Sequence, residues 1–366
     1  MEQTDSKCLV KKIDHMEIAT SDIAKLEKLF EGFGFWTTQI RDNAEGLSKL
    51  MEQGHTKLLL TEGKAGSFAQ SYSANHGDGV CRLAFTVADT VDAYKTAIER
   101  GAEGIEDPKV EKAKFEGADI ELSTASIKSF GDVRATFMKR EAGDVDAGLN
   151  TRPFAPGFTI TDAASKGNSN SAGLLSVDHL TNNVEMGMMD HWSEFDSRVY
   201  GFVETRYFDI RAQKTGLHSK VMQTPSGSVK IPINEATEEK SQIQEFIVEH
   251  KGAGVQHIAM TTKDIIKSVR DLRERGFKFL EVPDTYYEEV KKRIPQIEED
   301  INELQELKIL VDGDETGYLL QIFTENQIGP LFFELIQRKG NQGFGEGNFK
   351  ALFEAIERDQ ERRGVL

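Results

Sequence analysis

Two stretches of this chain share one layout. Residues 79–103 read GVCRLAFTVADTVDAYKTAIERGAE, and residues 254–278 read GVQHIAMTTKDIIKSVRDLRERGFK. Each opens on a β-like run, crosses a short polar turn, continues as an amphipathic helix and closes on Arg-Gly. In the second, Ile265, Ile266, Val269 and Leu272 recur near helical spacing. Gly101 and Gly276 stand where glycine ends a helix in the left-handed conformation. A second echo pairs residues 12–35, KIDHMEIATSDIAKLEKLFEGFGF, with residues 176–202, SVDHLTNNVEMGMMDHWSEFDSRVYGF. Again a strand carrying Asp-His leads into a helix and ends at Gly-Phe. Repeats on this scale point to duplication. The expected architecture is α+β, four copies of a βαβββ-like module, two in each half.

The 366 residues suffice for about two domains of ordinary size. The expected division is 1–150 and 151–366. No apolar run approaches a membrane span, and the N-terminus lacks the layout of a signal peptide, so a cytoplasmic protein away from membranes is expected. The net charge of −16 opposes nucleic-acid binding. An anionic substrate stays possible, because a buried metal can set the local potential. Two distant cysteines, Cys8 and Cys81, argue against a disulfide framework or a thiolate zinc site. Any metal would be held by histidine and carboxylate.

Three segments stand apart from the repeats. Residues 142–173, rich in Gly, Asn, Ser and Asp, read as a linker loop. Residues 283–317 are charged and helical in pattern, and are expected as a surface excursion between two modules. Residues 340–349, GNQGFGEGNF, form a flexible Gly-rich loop before a terminal amphipathic helix. Asn348 is placed to N-cap that helix, and Phe349, Leu352, Phe353 and Ile356 fall on its apolar face.

Among eight histidines, His179 and His257 lie in strand-like, mostly apolar runs of the second half. Glu334 lies in another, GPLFFELIQRKG. An unpaired buried carboxylate is costly unless it neutralises or meets a cation. Arg338, on the same strand face, is one candidate cation, and a metal ion is the other. The spacing is nearly even, 78 residues from His179 to His257 and 77 from His257 to Glu334. Two histidines and a carboxylate form a facial triad, which leaves open positions on an octahedral ion and suits non-heme Fe(II). Zinc or manganese would use similar ligands. In the first half His15 matches His179, but Arg82 stands at the position of His257 and Thr136 at that of Glu334. The first half therefore reads as the same architecture without a metal.

At these residues the chain resembles the 4-hydroxyphenylpyruvate dioxygenase family of the vicinal oxygen chelate superfamily. The motifs VDHL, KIPINE, KSQIQEF, GAGVQHIAM, LLQIFT, FFELIQR and GFGEGNFKALFEAIE carry the likeness over residues 173–366. IDHMEI and PFAPGF carry it more weakly in the first half. The resemblance implies two open-barrel domains of the vicinal oxygen chelate fold with a C-terminal gating helix. It implies Fe2+ held by His179, His257 and Glu334. The substrates would be 4-hydroxyphenylpyruvate and O2, and the products homogentisate and CO2, in tyrosine catabolism. It also implies a homo-oligomer. Asn234, Gln242 and Gln321 would serve the reaction. Ser219, Asn234, Gln242, Gln256, Gln321, Phe323, Phe332, Phe344, Asn348 and Phe349 would contact substrate, with Phe323 and Phe349 sandwiching the ring. Strand parity places Gln321 with Phe323, Pro232 with Asn234, and Phe332 with Glu334. Simple alternation points Gln256 away from His257, so a bulge or an indirect role is required there. The rival readings are a hydroxymandelate synthase, an extradiol ring-cleaving dioxygenase and a metal-free binding protein of the same fold. Pro232, Asn234 and Asn348 favour ring hydroxylation.

Overall fold

A computed structural model describes residues 8–116, 118–140, 152–164, 168–211, 216–349 and 364. The first sheet contains β1 (Val10–Thr20), β2 (Trp36–Asp42), β3 (Gly46–Gln53), β4 (Thr56–Gly63), β5 (Gly79–Val87), β6 (Gly104–Phe115), β7 (Ala118–Lys128), β8 (Arg134–Arg140) and β9 (Thr159–Ile160). The second contains β10 (Leu174–Val184), β11 (Val203–Arg211), β12 (Gly216–Gln223), β13 (Lys230–Ala236), β14 (Gly254–Thr262), β15 (Leu310–Asp314), β16 (Gly317–Phe323) and β17 (Phe332–Lys339). The first runs in the order β9-β2-β3-β4-β1-β5-β8-β7-β6, the second β11-β12-β13-β10-β14-β17-β16-β15. Apart from β9 the two orders are the same, strand for equivalent strand. Each sheet is therefore two βαβββ modules joined along their first strands, and curls into a half-barrel.

Helices α1 (Ile23–Gly32), α2 (Phe68–His76), α3 (Thr90–Glu99), α4 (Met189–Phe195), α5 (Gln242–His250) and α6 (Ile265–Glu274) connect the strands. Three of the four repeated helices start alike, the exception being α4, which has no side-chain cap. Asp22 accepts the Lys25 amide, Asp89 those of Val91 and Asp92, and Asp264 that of Lys267, which satisfies donors a helix start leaves open. Gly101 and Gly276 end α3 and α6 at φ +87° and +92°, conformations that cost a side chain energy. Ile265, Val269 and Leu272 of α6 are buried as their spacing requires. The two halves share one apolar core, in which Phe33 packs on Phe277 and Phe333 at ring-centroid distances of 4.0 and 4.7 Å. Among the described residues no helix is long and apolar enough to cross a membrane, and both cysteines are free.

Three expectations change. The linker is more than loop. Its β9 pairs with β2, and Phe154, Ala155 and Phe158 are buried against Leu50, Leu59, Leu122 and Met138 of the first sheet. Packing of the first half thus runs past residue 150. The 283–317 segment is not a surface excursion. It lies inside the fourth module, folds as α7 (Thr285–Glu288), α8 (Val290–Arg293), α9 (Ile301–Leu307) and β15, and sinks Tyr287, Val290, Ile294, Leu304 and Leu307 into the core. Its charged residues take the outer face of short helices whose apolar residues point inward. Asn348 does not N-cap the terminal helix, because the helical turn already includes it. Its amide nitrogen donates to the Gly345 carbonyl at 2.8 Å. The remainder of the terminal helix, with Leu352, Phe353 and Ile356, lies outside the described residues.

Candidate metal centre

Strand pairing brings the three candidate ligands together. His179 on β10 faces Ala259 on β14, Thr181 faces His257, and Ala259 in turn faces Glu334 on β17. The ligand atoms of His179, His257 and Glu334 all lie within 4.8 Å of one another. Oε2 of Glu334 is 3.3 Å from Nε2 of His179 and 3.6 Å from Nε2 of His257. With bonds near 2.1 Å, ligand atoms at right angles on one ion stand about 3 Å apart. The three side chains are buried, Glu334 to 2% exposure.

Arg338, the expected protein partner of Glu334, is committed elsewhere. Its Nε and Nη2 donate to the two oxygens of Asp178, each at 2.7 Å, and its Nη1 to the carbonyls of Asn341 and Gly343. Glu334 is left with two imidazoles and the Gln321 amide, whose Nε2 donates to Oε1 at 3.1 Å. A carboxylate so buried, with no Lys or Arg against it, calls for a cation. The donor set fits a divalent metal.

Each histidine is oriented by the residue before it, through a β-bulge. Between Val177 and His179, β10 carries one extra residue, Asp178. Between Thr181 and Asn182, β14 carries one extra residue, Gln256. A bulge breaks the alternation of a strand and re-aims a side chain. Asp178 thereby lies 2.9 Å from Nδ1 of His179, and the Gln256 amide oxygen 3.1 Å from Nδ1 of His257. Both histidines then present Nε2 to the centre. The bulge resolves the position of Gln256, which alternation alone sends the other way. Burial opposes the charged form of Asp178, but Arg338 and His179 outweigh it and hold the carboxyl far below its ordinary range. Burial, seconded by His179, pushes His257 well down, which keeps it neutral as a ligand.

The pocket beside the triad has a cavity volume of about 60 Å³. Of the expected contacts, Ser219, Asn234, Gln242, Gln256, Phe323, Phe332, Phe344 and Phe349 line it. Phe332 stacks on His257 at 4.8 Å, and Phe344 stands edge-on to His179 at 5.3 Å. Gln321 and Asn348 are not on the wall but behind it. Asn348 donates to the Gln321 carbonyl oxygen at 2.8 Å, and its own oxygen meets the Tyr286 hydroxyl at 2.5 Å. Gly345 is required here, since a Cβ on it would overlap the Gln321 amide. Phe208, Ile210, Leu217 and Val221 also line the pocket, although sequence reasoning did not single them out. Parity from Ser219 would have found Leu217 and Val221. Phe208 lies opposite Ser219 on β11 and meets Phe349 edge-on at 5.3 Å.

Residues 8–145 match the family described as Hydroxyphenylpyruvate dioxygenase, HPPD, N-terminal, and residues 176–321 the Glyoxalase/Bleomycin resistance protein/Dioxygenase superfamily. The chain is 42% identical to a 4-hydroxyphenylpyruvate dioxygenase of Pseudomonas aeruginosa, over 94% of this chain and 92% of that one. It is 40% identical to one of Legionella pneumophila, over 100% and 99%. Among solved structures, a variant of 4-hydroxymandelate synthase from Streptomyces coelicolor superimposes with a TM-score of 0.82 at 28% identity, over 96% of this chain and 99% of the other. Sequence and fold agree along the whole length, and the chain belongs to the 4-hydroxyphenylpyruvate dioxygenase family.

Proposed function

We propose that this protein converts 4-hydroxyphenylpyruvate and O2 to homogentisate and CO2, with Fe(II) held by His179, His257 and Glu334. The observation that carries the reading is the buried Glu334, set against two oriented histidines with no Lys or Arg beside it. When bound, the iron supplies the means to activate O2 next to the keto-acid group of the substrate. The protein's own groups do the rest. Asp178 and Gln256 fix the two imidazoles, and Gln321 ties down one oxygen of Glu334, leaving the other to the centre. Phe323, Phe332, Phe344 and Phe349 form apolar walls for an aromatic ring. Ser219 and Asn234, paired across β12 and β13, offer polar groups to the phenol together with Gln242 at the start of α5. Phe344 and Phe349, carried by the Gly-rich loop, exclude water from the reacting atoms. The division of labour follows the halves, with residues 1–150 as a metal-free partner and 151–366 as the catalytic part. The same reading carries a cytoplasmic homo-oligomer.

Oxygen uptake with product identification, with and without added Fe(II), tests this. Homogentisate and one iron per chain are expected. Glu334→Ala is expected to lose the iron and to lower turnover by roughly a thousandfold or more. Hydroxymandelate as the product would move the chain to the synthase reaction. An iron-free wild-type protein that consumes no oxygen would overturn the proposal.

A further inference from the structure

The concave face of the first sheet encloses a cavity of about 420 Å³, much larger than the 60 Å³ beside the metal ligands. Strand register relates the two walls. Arg41 faces Ser48, Ser48 faces Thr61, and Thr61 faces Ala19. In the second half Phe208 faces Ser219, Ser219 faces Asn234, and Asn234 faces Asn183. Ala19 follows His15 by four residues, as Asn183 follows His179. Ser48 therefore holds the place of Ser219, Thr61 that of Asn234, and Arg41 that of Phe208. The first half keeps a polar wall at the positions that line the pocket beside the triad in the second, and puts a guanidinium where the second has an aromatic ring.

The charges of this cavity are not equally engaged. Arg82 is saturated by Glu17, Glu106, Ser126 and Thr136. Arg134 is bonded to Glu106 and stacked on Phe68. Arg41 stacks on Phe158 at 4.6 Å, but makes no hydrogen bond or ion pair among the described residues, and its buried Nε has no partner. The nearby carboxylates act on it only at a distance. Glu17 is engaged with Arg82 and Thr61, and Glu111 with Lys109. Burial lowers the Arg41 pKa despite Glu17, Glu111 and Glu45, consistent with a charge whose hydration is only partly replaced. Part of the cavity wall is apolar, with Leu59, Leu122, Met138 and Phe154 buried along it. A forked donor and apolar side chains lining one cavity match a small molecule with one carboxylate and a flat hydrocarbon body.

We propose that the first half carries a second, metal-free binding site, which takes a small aryl monocarboxylate through Arg41. The inference is independent of the reaction proposed above, since none of its residues touches the metal centre. The test is 19F NMR titration of the full-length, iron-loaded protein with 4-fluorophenylacetate, which lacks the 2-oxo group needed to chelate a metal. Saturable binding is expected. It should weaken roughly tenfold or more in Arg41→Gln, be partly restored in Arg41→Lys, and persist in Phe323→Ala, which alters only the catalytic pocket. Oxygen uptake by Arg41→Gln with 4-hydroxyphenylpyruvate should equal that of wild type. Melting temperatures of the variants identify a folding defect. If Arg41→Gln does not fold, Ser48→Val carries the same comparison from the opposite strand, with binding again expected to weaken. Absence of saturable binding, binding indifferent to Arg41→Gln (or, in its place, to Ser48→Val), or binding abolished by Phe323→Ala overturns the proposal.

Discussion

In the first half the guanidinium of Arg82 stands at the point where the second half gathers two imidazoles and a carboxylate. The registers correspond: His15 with His179, Arg82 with His257, Thr136 with Glu334. Even the bulges correspond. Asp14 is the extra residue before His15 as Asp178 is before His179, and Cys81 matches Gln256. Arg140 meets Asp14 as Arg338 meets Asp178. Phe154 stands edge-on to His15 at 5.0 Å, much as Phe344 does to His179. What differs is the source of the central cation. The second half has negative and neutral donors that need an ion from outside. The first supplies its own positive charge and closes it with Glu17 and Glu106. The same supporting shell surrounds both centres, so a histidine with an oriented Nδ1 accompanies a guanidinium in one half and a His-His-Glu set in the other.

The largest effect that would break this comparison is loss of the internal cation. Arg82→Met leaves Glu17 partly buried without its cation, and Glu106 with Arg134 alone. Burial would raise Glu106, but Arg82, with help from Ser126 and Arg134, holds it down to about 2. Breaking a buried pair from one side costs about 3–5 kcal/mol. Glu17 and Glu106 are 12% and 28% exposed in their side chains, so the lower end is expected. Urea unfolding should show a loss of about 3 kcal/mol with iron stoichiometry unchanged. A loss of iron would mean that the first half supports the second directly.

Much of this was legible in sequence, and the exceptions have physical reasons. Duplication, module type and the gathering of His179, His257 and Glu334 followed from period, parity and spacing, which report local geometry repeated over a strand. Arg82 and Thr136 were also placed correctly, because substitution at an equivalent position needs only the register. The partner of Arg338 was not legible. Asp178 and Glu334 both lay within reach, and only the bulge at Asp178 decides between them. The 283–317 segment misled because its charges dominate the pattern while Tyr287, Val290, Ile294, Leu304 and Leu307 anchor it from the other side. PFAPGF, with Phe154 and Phe158, reads as family-like, but nothing local says that a linker turns back to pack into the cup of its own half.

A smaller effect separates orienting a ligand from merely holding a fold. Asp178→Asn removes the charge that binds Arg338 and weakens the grip on His179, whereas Asp14→Asn does the same to Arg140 and His15. Both should lower stability. Only Asp178→Asn should lower iron affinity, by about 10–100-fold, as read by competition with a chelator. Equal affinities in the two variants would show that the bulge carboxylate serves strand geometry alone.

The smallest effect tests how each half fixes the loop that covers its cup. In the first half the Gln39 side chain accepts from the Phe154 amide at 2.6 Å and donates to the Arg152 carbonyl at 3.1 Å, while Nε of Arg140 donates to the Phe154 carbonyl at 3.1 Å. In the second the task is shared along a chain, from the Tyr286 hydroxyl to Asn348, from Asn348 to Gln321, and from Gln321 to Glu334. The same hydroxyl also accepts from the Val311 amide at 2.8 Å, so Tyr286 joins the 283–317 segment to the loop bearing Phe344 and Phe349. Tyr286→Phe deletes the bond from the Val311 amide and, on the side of the loop, the bond to Asn348, the latter worth about 1 kcal/mol. That energy acts on the closed position of the loop rather than on the reacting atoms. The expected result is a KM for 4-hydroxyphenylpyruvate raised about fivefold, with kcat little changed and faster amide exchange at residues 344–349. Gln39→Leu should cost similar stability and leave KM where it was, because the cup it closes lies in the half that does not carry His179, His257 and Glu334. A fall in kcat in Tyr286→Phe, with KM unmoved, would place Tyr286 in control of Glu334 instead of the loop.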